Sequence, residues 1–315
     1  MQTRMHKLLW LAPLALYSLD AQAWGLFTHI YFAQSLLWAM PLLDPRLQRA
    51  IRRFPELVMA GACLPDLAIV SPAFRYTHQW ENCQHLLQSA TSDEETAIAI
   101  GYASHLYIDV IAHNHFVPAH EAMWLQHGMF THITVEWAMD GHLAPLVDTS
   151  PHQLLSTHND VLARFLAPRF RCSEQRASIA IRRLAKADRA LRAFRLPQLI
   201  YIAMRLLKRR AFSHFVYYIA KTQVAMAEIG NVFKGERPSW EPELNHLTQE
   251  QMTSWRKQCL HQLNLLHPQP ISYFRPDKAI YQKKGYQRKD NLGINALVNP
   301  AIKPPISAPA TTSVG

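Results

Sequence analysis

Along this chain apolar residues recur with the period of a helix almost throughout and with the period of a strand almost nowhere. Helix start signals punctuate the pattern. Asp44-Pro45 reads as a cap and first helical residue ahead of Arg46 to Arg53. Ser92 with Glu95 forms a capping box that opens a long helix towards His113, and Ser150-Pro151 with Gln153 and Thr248 with Gln251 form two more. From about Gln175 to Lys221 the pattern is helical and rich in arginine, with a break expected at Pro197. No apolar-polar alternation survives for six positions, and 10 glycines are few for a β-sandwich. The pattern predicts an all-α, multi-helical fold.

The two ends depart from this pattern. Arg4 and Lys7, an apolar run from Leu8 to Leu19, and Ala21-Gln22-Ala23 make up a secretory signal peptide with its small-x-small cleavage site. The run is too short for a membrane span, which needs roughly twenty residues. Cleavage after Ala23 makes Trp24 the first residue of a secreted or periplasmic protein. Near the other end, Gly235 to Pro242 reads as a linker and about Gln249 to Leu266 as a short amphipathic helix. The prolines, lysines and small polar residues after His267 read as a flexible basic tail. The expected organisation is a signal peptide at 1–23, one helical domain at 24–235 and a C-terminal extension at 236–315. No internal repeat is visible.

The formal charge of +10 loses two positive and one negative group with the signal, leaving +9 on the mature chain. That sign favours anionic partners, phospholipid headgroups or nucleic acid, without choosing between them. The segment holding Arg182, Arg183, Arg189, Arg192, Arg195, Arg205, Lys208, Arg209 and Arg210 interleaves leucine, isoleucine and aromatics with its charges. Such a segment suits an anionic membrane surface, or nucleic acid if Phe194 and Tyr201 stack on bases, as well as a plain solvated face. The four cysteines, Cys63, Cys83, Cys172 and Cys259, make no Cys-x-x-Cys pair, which argues against a thiolate zinc site; disulfides and free thiols both remain open.

The informative excess is in 17 histidines. His105, Asp109 and His113 recur every fourth residue, which places them on one helix face about 6 Å apart. A lone buried histidine is usually a hydrogen-bonded core residue. A stripe of three inside an apolar helix is costly unless something satisfies it, and neutral imidazole with carboxylate is a donor set suited to zinc. His132 and Glu136 form a second pair one turn apart, with Asp140 a turn further on. Asp66, after Pro65, and His78, after Thr77, precede these helices.

The order Trp24-Gly25-x-x-x-His29, Pro65-Asp66, Thr77-His78, His105-x-x-x-Asp109, His132-x-x-x-Glu136 resembles the zinc-dependent phospholipase C superfamily, which also contains the fungal single-strand nucleases. The resemblance spans roughly Trp24 to Asp140. It implies up to three zinc ions. Asp66, His78, His105 and Asp109 would hold the first, with Asp109 bridging to a second held by the amine and carbonyl of Trp24 and by His29. A third would take His132, Glu136 and either His113 or His115. Phospholipases C and nucleases place that last ligand slightly beyond one turn after the bridging Asp, which selects His115. The glycosylphosphatidylinositol-specific phospholipase D branch and the helical phase select His113. The short gap from Trp24 to His29 is closer to the nuclease and phospholipase D branches.

The implied chemistry is phosphodiester hydrolysis by a metal-bridged hydroxide, with Asp66 as proton acceptor and no covalent intermediate. The leading expectation is an exported, phospholipase C-like enzyme acting on phospholipid. The alternatives are a single-strand nuclease or nucleotidase, a phospholipase D-like activity, and a metal-stabilised protein that binds membrane without turnover. No protein partner can be inferred.

Overall fold

The computed structural model describes residues 25–39, 43–124, 128–234 and 247–266, all within the compact unit Met1–Pro276. The signal peptide, Trp24, the 235–242 linker and the tail after His267 lie outside the described residues. Among the described residues there is no strand. The fold is all-α.

Among the described residues fifteen α-helices follow one another: α1 Leu26–Ala39, α2 Pro45–Arg53, α3 Pro55–Gly61, α4 Leu67–Val70, α5 Trp80–Ser89, α6 Asp93–Ile111, α7 Val117–Met123, α8 Gly128–Leu143, α9 Pro151–Thr157, α10 Asn159–Arg169, α11 Glu174–Ala193, α12 Leu196–Leu207, α13 Ala211–Met226, α14 Ile229–Phe233 and α15 Gln249–Leu265. The cap signals act where the sequence puts them. Asp44 accepts from the Arg46 N–H, Ser92 from Glu95, Ser150 from Gln153, and Thr248 with Gln251 closes a full capping box. At Ser92 the box is not reciprocal, because Glu95 turns to the Thr91 N–H and to Arg169 instead. The arginine-rich segment breaks twice. Arg195 adopts a left-handed conformation ahead of Pro197, and a second break at 208–210 separates α12 from α13.

Helix α6 is the hub. Thr96 to Ile111 are all buried, so it presents no solvent face and packs against α1, α2, α3, α5, α13 and α14. Its approach to α3 depends on two glycines. A Cβ on Gly101 would overlap the Val58 carbonyl oxygen, and one on Gly61 would overlap that of Ile98. This contact sets the chain that leaves α3, and with it Asp66, against the face of α6 that carries His105. Gly101→Ala is expected to destabilise the fold by about 3 kcal/mol, the upper end for overpacking, because the obstacle is backbone. Thermal unfolding followed by circular dichroism checks this, with Tm lowered by about 6–12 °C.

The helix at 249–265, read from sequence as part of a separate extension, packs on α7 through Trp255, Cys259 and Leu263. All four cysteines are free thiols, and Cys63, Cys83 and Cys259 are buried. No described helix is long and apolar enough to cross a membrane.

Candidate metal centre

His105 and Asp109 lie one turn apart on the buried face of α6, and the chain runs from that helix into a π-helical turn, Ala112–Phe116, that carries His113. Asp109 stands between four imidazoles. Its Oδ2 is 3.1 Å from His105 Nε2 and 3.7 Å from His78 Nε2. Its Oδ1 is 3.6 Å from His29 Nε2, on α1, and 3.7 Å from His113 Nε2. Each carboxylate oxygen thus faces a different pair.

Asp66 completes the first side, with Oδ1 3.7 Å from His105 Nε2 and 3.8 Å from His78 Nε2, nitrogens that are themselves 3.2 Å apart. His132 and Glu136, on α8, complete the other. Glu136 Oε1 is 2.9 Å from His132 Nε2 and 3.7 Å from His113 Nδ1. Three groups result, His29–His105–Asp109, Asp66–His78–His105 and His113–His132–Glu136, each with ligand atoms within 4.8 Å of one another.

Separations of 3.6–3.8 Å are too long for hydrogen bonds. Donors around one tetrahedral zinc, bound at about 2.0–2.1 Å, stand roughly 3.3 Å apart. Asp66 Oδ1 and His113 Nε2 are buried and make no hydrogen bond, a state that is costly for a polar atom and that a cation would relieve. Donor chemistry, convergence and unsatisfied atoms all fit zinc.

Comparison with known families agrees: residues 28–171 match the model of the zinc dependent phospholipase C family. This segment is a zinc-dependent phospholipase C-type domain. No curated protein and no solved structure matches the chain. The matched span of the phospholipase C-type domain contains every described member of the three groups, from His29 to Glu136.

Electrostatics prepare the same residues for a cation. Burial lowers His105 to about 3, and it lowers His78 and His113 as well, with neighbouring imidazoles adding to the shift. All three are therefore neutral at pH 7, the metal-binding form. Burial, followed by the charges of Asp109, Glu136 and Asp140, pushes the Asp66 carboxyl well above the usual carboxylate range. Carboxylates gathered away from water oppose one another's ionisation, and a divalent cation is the charge that offsets this.

A second layer of contacts aims the donors. His105 Nδ1–H donates to the Ala62 carbonyl at 2.7 Å, which leaves the Nε2 lone pair facing the site. The His105 ring also stacks on that of His29, centroids 3.5 Å apart. Thr77 Oγ1–H donates to the Pro65 carbonyl at 2.5 Å, and Tyr102 O–H to that of Thr77, so α6 fixes the two loops bearing Asp66 and His78. The carbonyls of the π turn are held from outside, Asn114 by the Trp255 indole N–H at 2.5 Å and His115 by the Tyr218 hydroxyl at 3.1 Å. Through Trp255, α15 supports the turn that carries His113.

His113 and His115 part company here. The first joins His132 and Glu136, whereas the second is buried edge-on against Trp255, centroids 5.4 Å apart, and belongs to none of the three groups. His113→Ala is expected to cost the protein one metal ion and His115→Ala none, as elemental analysis of the two purified variants would show.

Asp140 also stands outside the groups. Its Oδ1 accepts from the Thr28 N–H at 2.8 Å and from Thr28 Oγ1 at 3.1 Å, and its Oδ2 pairs with Arg192, which also binds Asp188. A Cβ on Gly25 would collide with the same carboxylate. Asp140 thus fixes the start of α1 and the way the chain enters the site. Trp24, one residue earlier, lies outside both the described residues and the matched span.

Proposed function

We propose that the mature protein is an exported zinc-dependent phosphodiesterase that hydrolyses phospholipids in the manner of a phospholipase C. The observation that carries this reading is the Asp109 carboxylate, one oxygen towards His78 and His105 and the other towards His29 and His113. Asp66, His78, His105 and Asp109 would hold one zinc. His29 and Asp109, with the amine and carbonyl of Trp24, would hold a second, and His113, His132 and Glu136 a third. Zinc bound there supplies an activated water and neutralises charge on the phosphodiester.

The chain's own groups do the rest. The buried Asp66 carboxylate, whose Oδ1 faces His78 and His105, receives the proton that the attacking water loses. His105 is held in one tautomer by Ala62, and His29 is held against it by stacking, so these donors need no rearrangement when substrate arrives. His78 and His132 are the half-buried members of the set, and the substrate phosphate enters on their side. Export follows from the positively charged, apolar and small-residue regions of 1–23.

Assay of the mature protein with phosphatidylcholine and with single-stranded DNA tests the proposal. Release of a phosphorylated headgroup and diacylglycerol is expected. Cleavage of DNA alone would assign the nuclease alternative, release of phosphatidic acid the phospholipase D-like one, and turnover of neither a binding role.

A further inference from the structure

The structure assigns a membrane-docking face to α12 and the adjoining start of α13, and anionic phospholipid as the surface it binds. The inference goes beyond the proposed reaction, since docking stands or falls independently of turnover.

Large apolar side chains cluster here in the open. Leu206 is 81% exposed, Leu207 76% and Phe194 71%, and Leu199, Ile202 and Phe212 are exposed beside them. Leu199, Ile202 and Leu206 follow one another at helical spacing on the outer side of α12, while Pro197 and Met204 are buried on its inner side. A single exposed leucine would need no explanation, but a contiguous row of this kind marks an interaction surface. Arg205 joins the two helices across the patch, its guanidinium 5.8 Å from the Tyr201 ring centroid and 5.4 Å from that of Phe212.

Charge identifies the occupant. From Arg189 to Ala227 there is no acidic residue, while Arg189, Arg195, Arg205, Arg209 and Arg210 stand exposed around the apolar row. An apolar strip rimmed by arginines inserts at the headgroup boundary of an anionic bilayer and places its cations at the phosphates. A second copy of this face would bring like charges together. The chain's own segment at 267–315 would do the same, with Arg275, Lys278, Lys283, Lys284, Arg288, Lys289 and Lys303 against Asp277 and Asp290.

The face is coupled to the metal centre by packing. The inner side of α12 lies along α8, the helix of His132 and Glu136. Gly141 of α8 has no room for a Cβ beneath the Pro197 carbonyl, and the Tyr201 hydroxyl meets His142 Nδ1 at 2.9 Å. Docking through α12 therefore holds α8 close to the lipid surface.

The test is cosedimentation of the mature protein with phosphatidylcholine vesicles with and without phosphatidylglycerol. It is paired with hydrolysis of the same vesicles and of a short-chain phosphatidylcholine kept below its micelle concentration. Leu199→Asp/Leu206→Asp and Arg205→Glu/Arg209→Glu, all at exposed positions, are compared with the parent. Both variants should bind anionic vesicles about tenfold more weakly or worse and hydrolyse them correspondingly slowly. Their activity on the monomeric substrate and their Tm should be unchanged. Parent-like vesicle binding by both variants would overturn the assignment. So would a parent that ignores anionic vesicles, or a concentration-dependent dimer that the leucine variant abolishes. A parent that binds vesicles through this face yet hydrolyses neither substrate would keep the docking face and remove the phospholipase reading.

Discussion

Asp109→Asn is expected to abolish phosphodiester hydrolysis and to release more than one metal ion, although the two side chains have the same shape. The wild-type carboxylate offers an acceptor oxygen to each side, Oδ2 at 3.1 Å from His105 Nε2 and Oδ1 at 3.6 Å from His29 Nε2. An amide can present an oxygen to only one side; its NH₂ turns two protons and no lone pair towards the other. It also removes a negative charge from a buried position. Loss of a single preorganised electrostatic group costs about 10²–10³ in rate, and a bridging ligand serves two ions, so a loss above about 10³ is expected. Steady-state rates and elemental analysis on the same preparation check this. A variant slower by only a few-fold, with its metal intact, would show that Asp109 bridges nothing.

An added residue in front of Trp24 is expected to have a comparable effect without touching any side chain. In the proposed site the Trp24 amine and carbonyl are ligands, and acylating the amine withdraws its lone pair. The extra chain would also have little room to shift. Three residues after Gly25 the Thr28 N–H is pinned to Asp140, itself paired with Arg192, and Gly25 has no space for so much as a Cβ. Protein expressed without the signal and with a Met or tag before Trp24 should be helical, short of one zinc and nearly inactive. Proteolytic release of a free Trp24 should restore both. Full activity in the tagged form would show that the terminus is no ligand.

The parts of the site legible in the sequence are those carried by helical spacing. His105, Asp109 and His113 are four apart, and His132 and Glu136 likewise, so one-turn spacing brings His105 to Asp109 on α6, His113 to Asp109 across its junction with the π turn, and His132 to Glu136 on α8. The capping residues were legible for the same local reason. What the sequence does not display is whatever a backbone group or a distant residue contributes. The Ala62 carbonyl sets the His105 tautomer, yet a carbonyl has no residue type to read. Asp140 looks like a further member of the His132-Glu136 stripe. Only the fold reveals that its partner is Arg192, 52 positions away. The π turn left His113 and His115 undecided, since either can follow Asp109 by about one turn. Its geometry depends on Trp255 and Tyr218, which arrive from α15 and α13. The Gly61–Gly101 approach was invisible too, because a glycine inside a helix signals a close neighbour only after the neighbour is known.

The central claim is that these three groups of imidazoles and carboxylates hold metal. Elemental analysis of the mature protein, combined with Tm before and after chelation, tests it most directly. A site of this kind binds zinc in the folded state and draws stability from it. The expected result is about two to three zinc ions per chain and a Tm that falls on chelation and recovers when zinc is returned. A folded protein that contains no zinc, takes up none and melts at the same temperature with and without chelator would contradict the account.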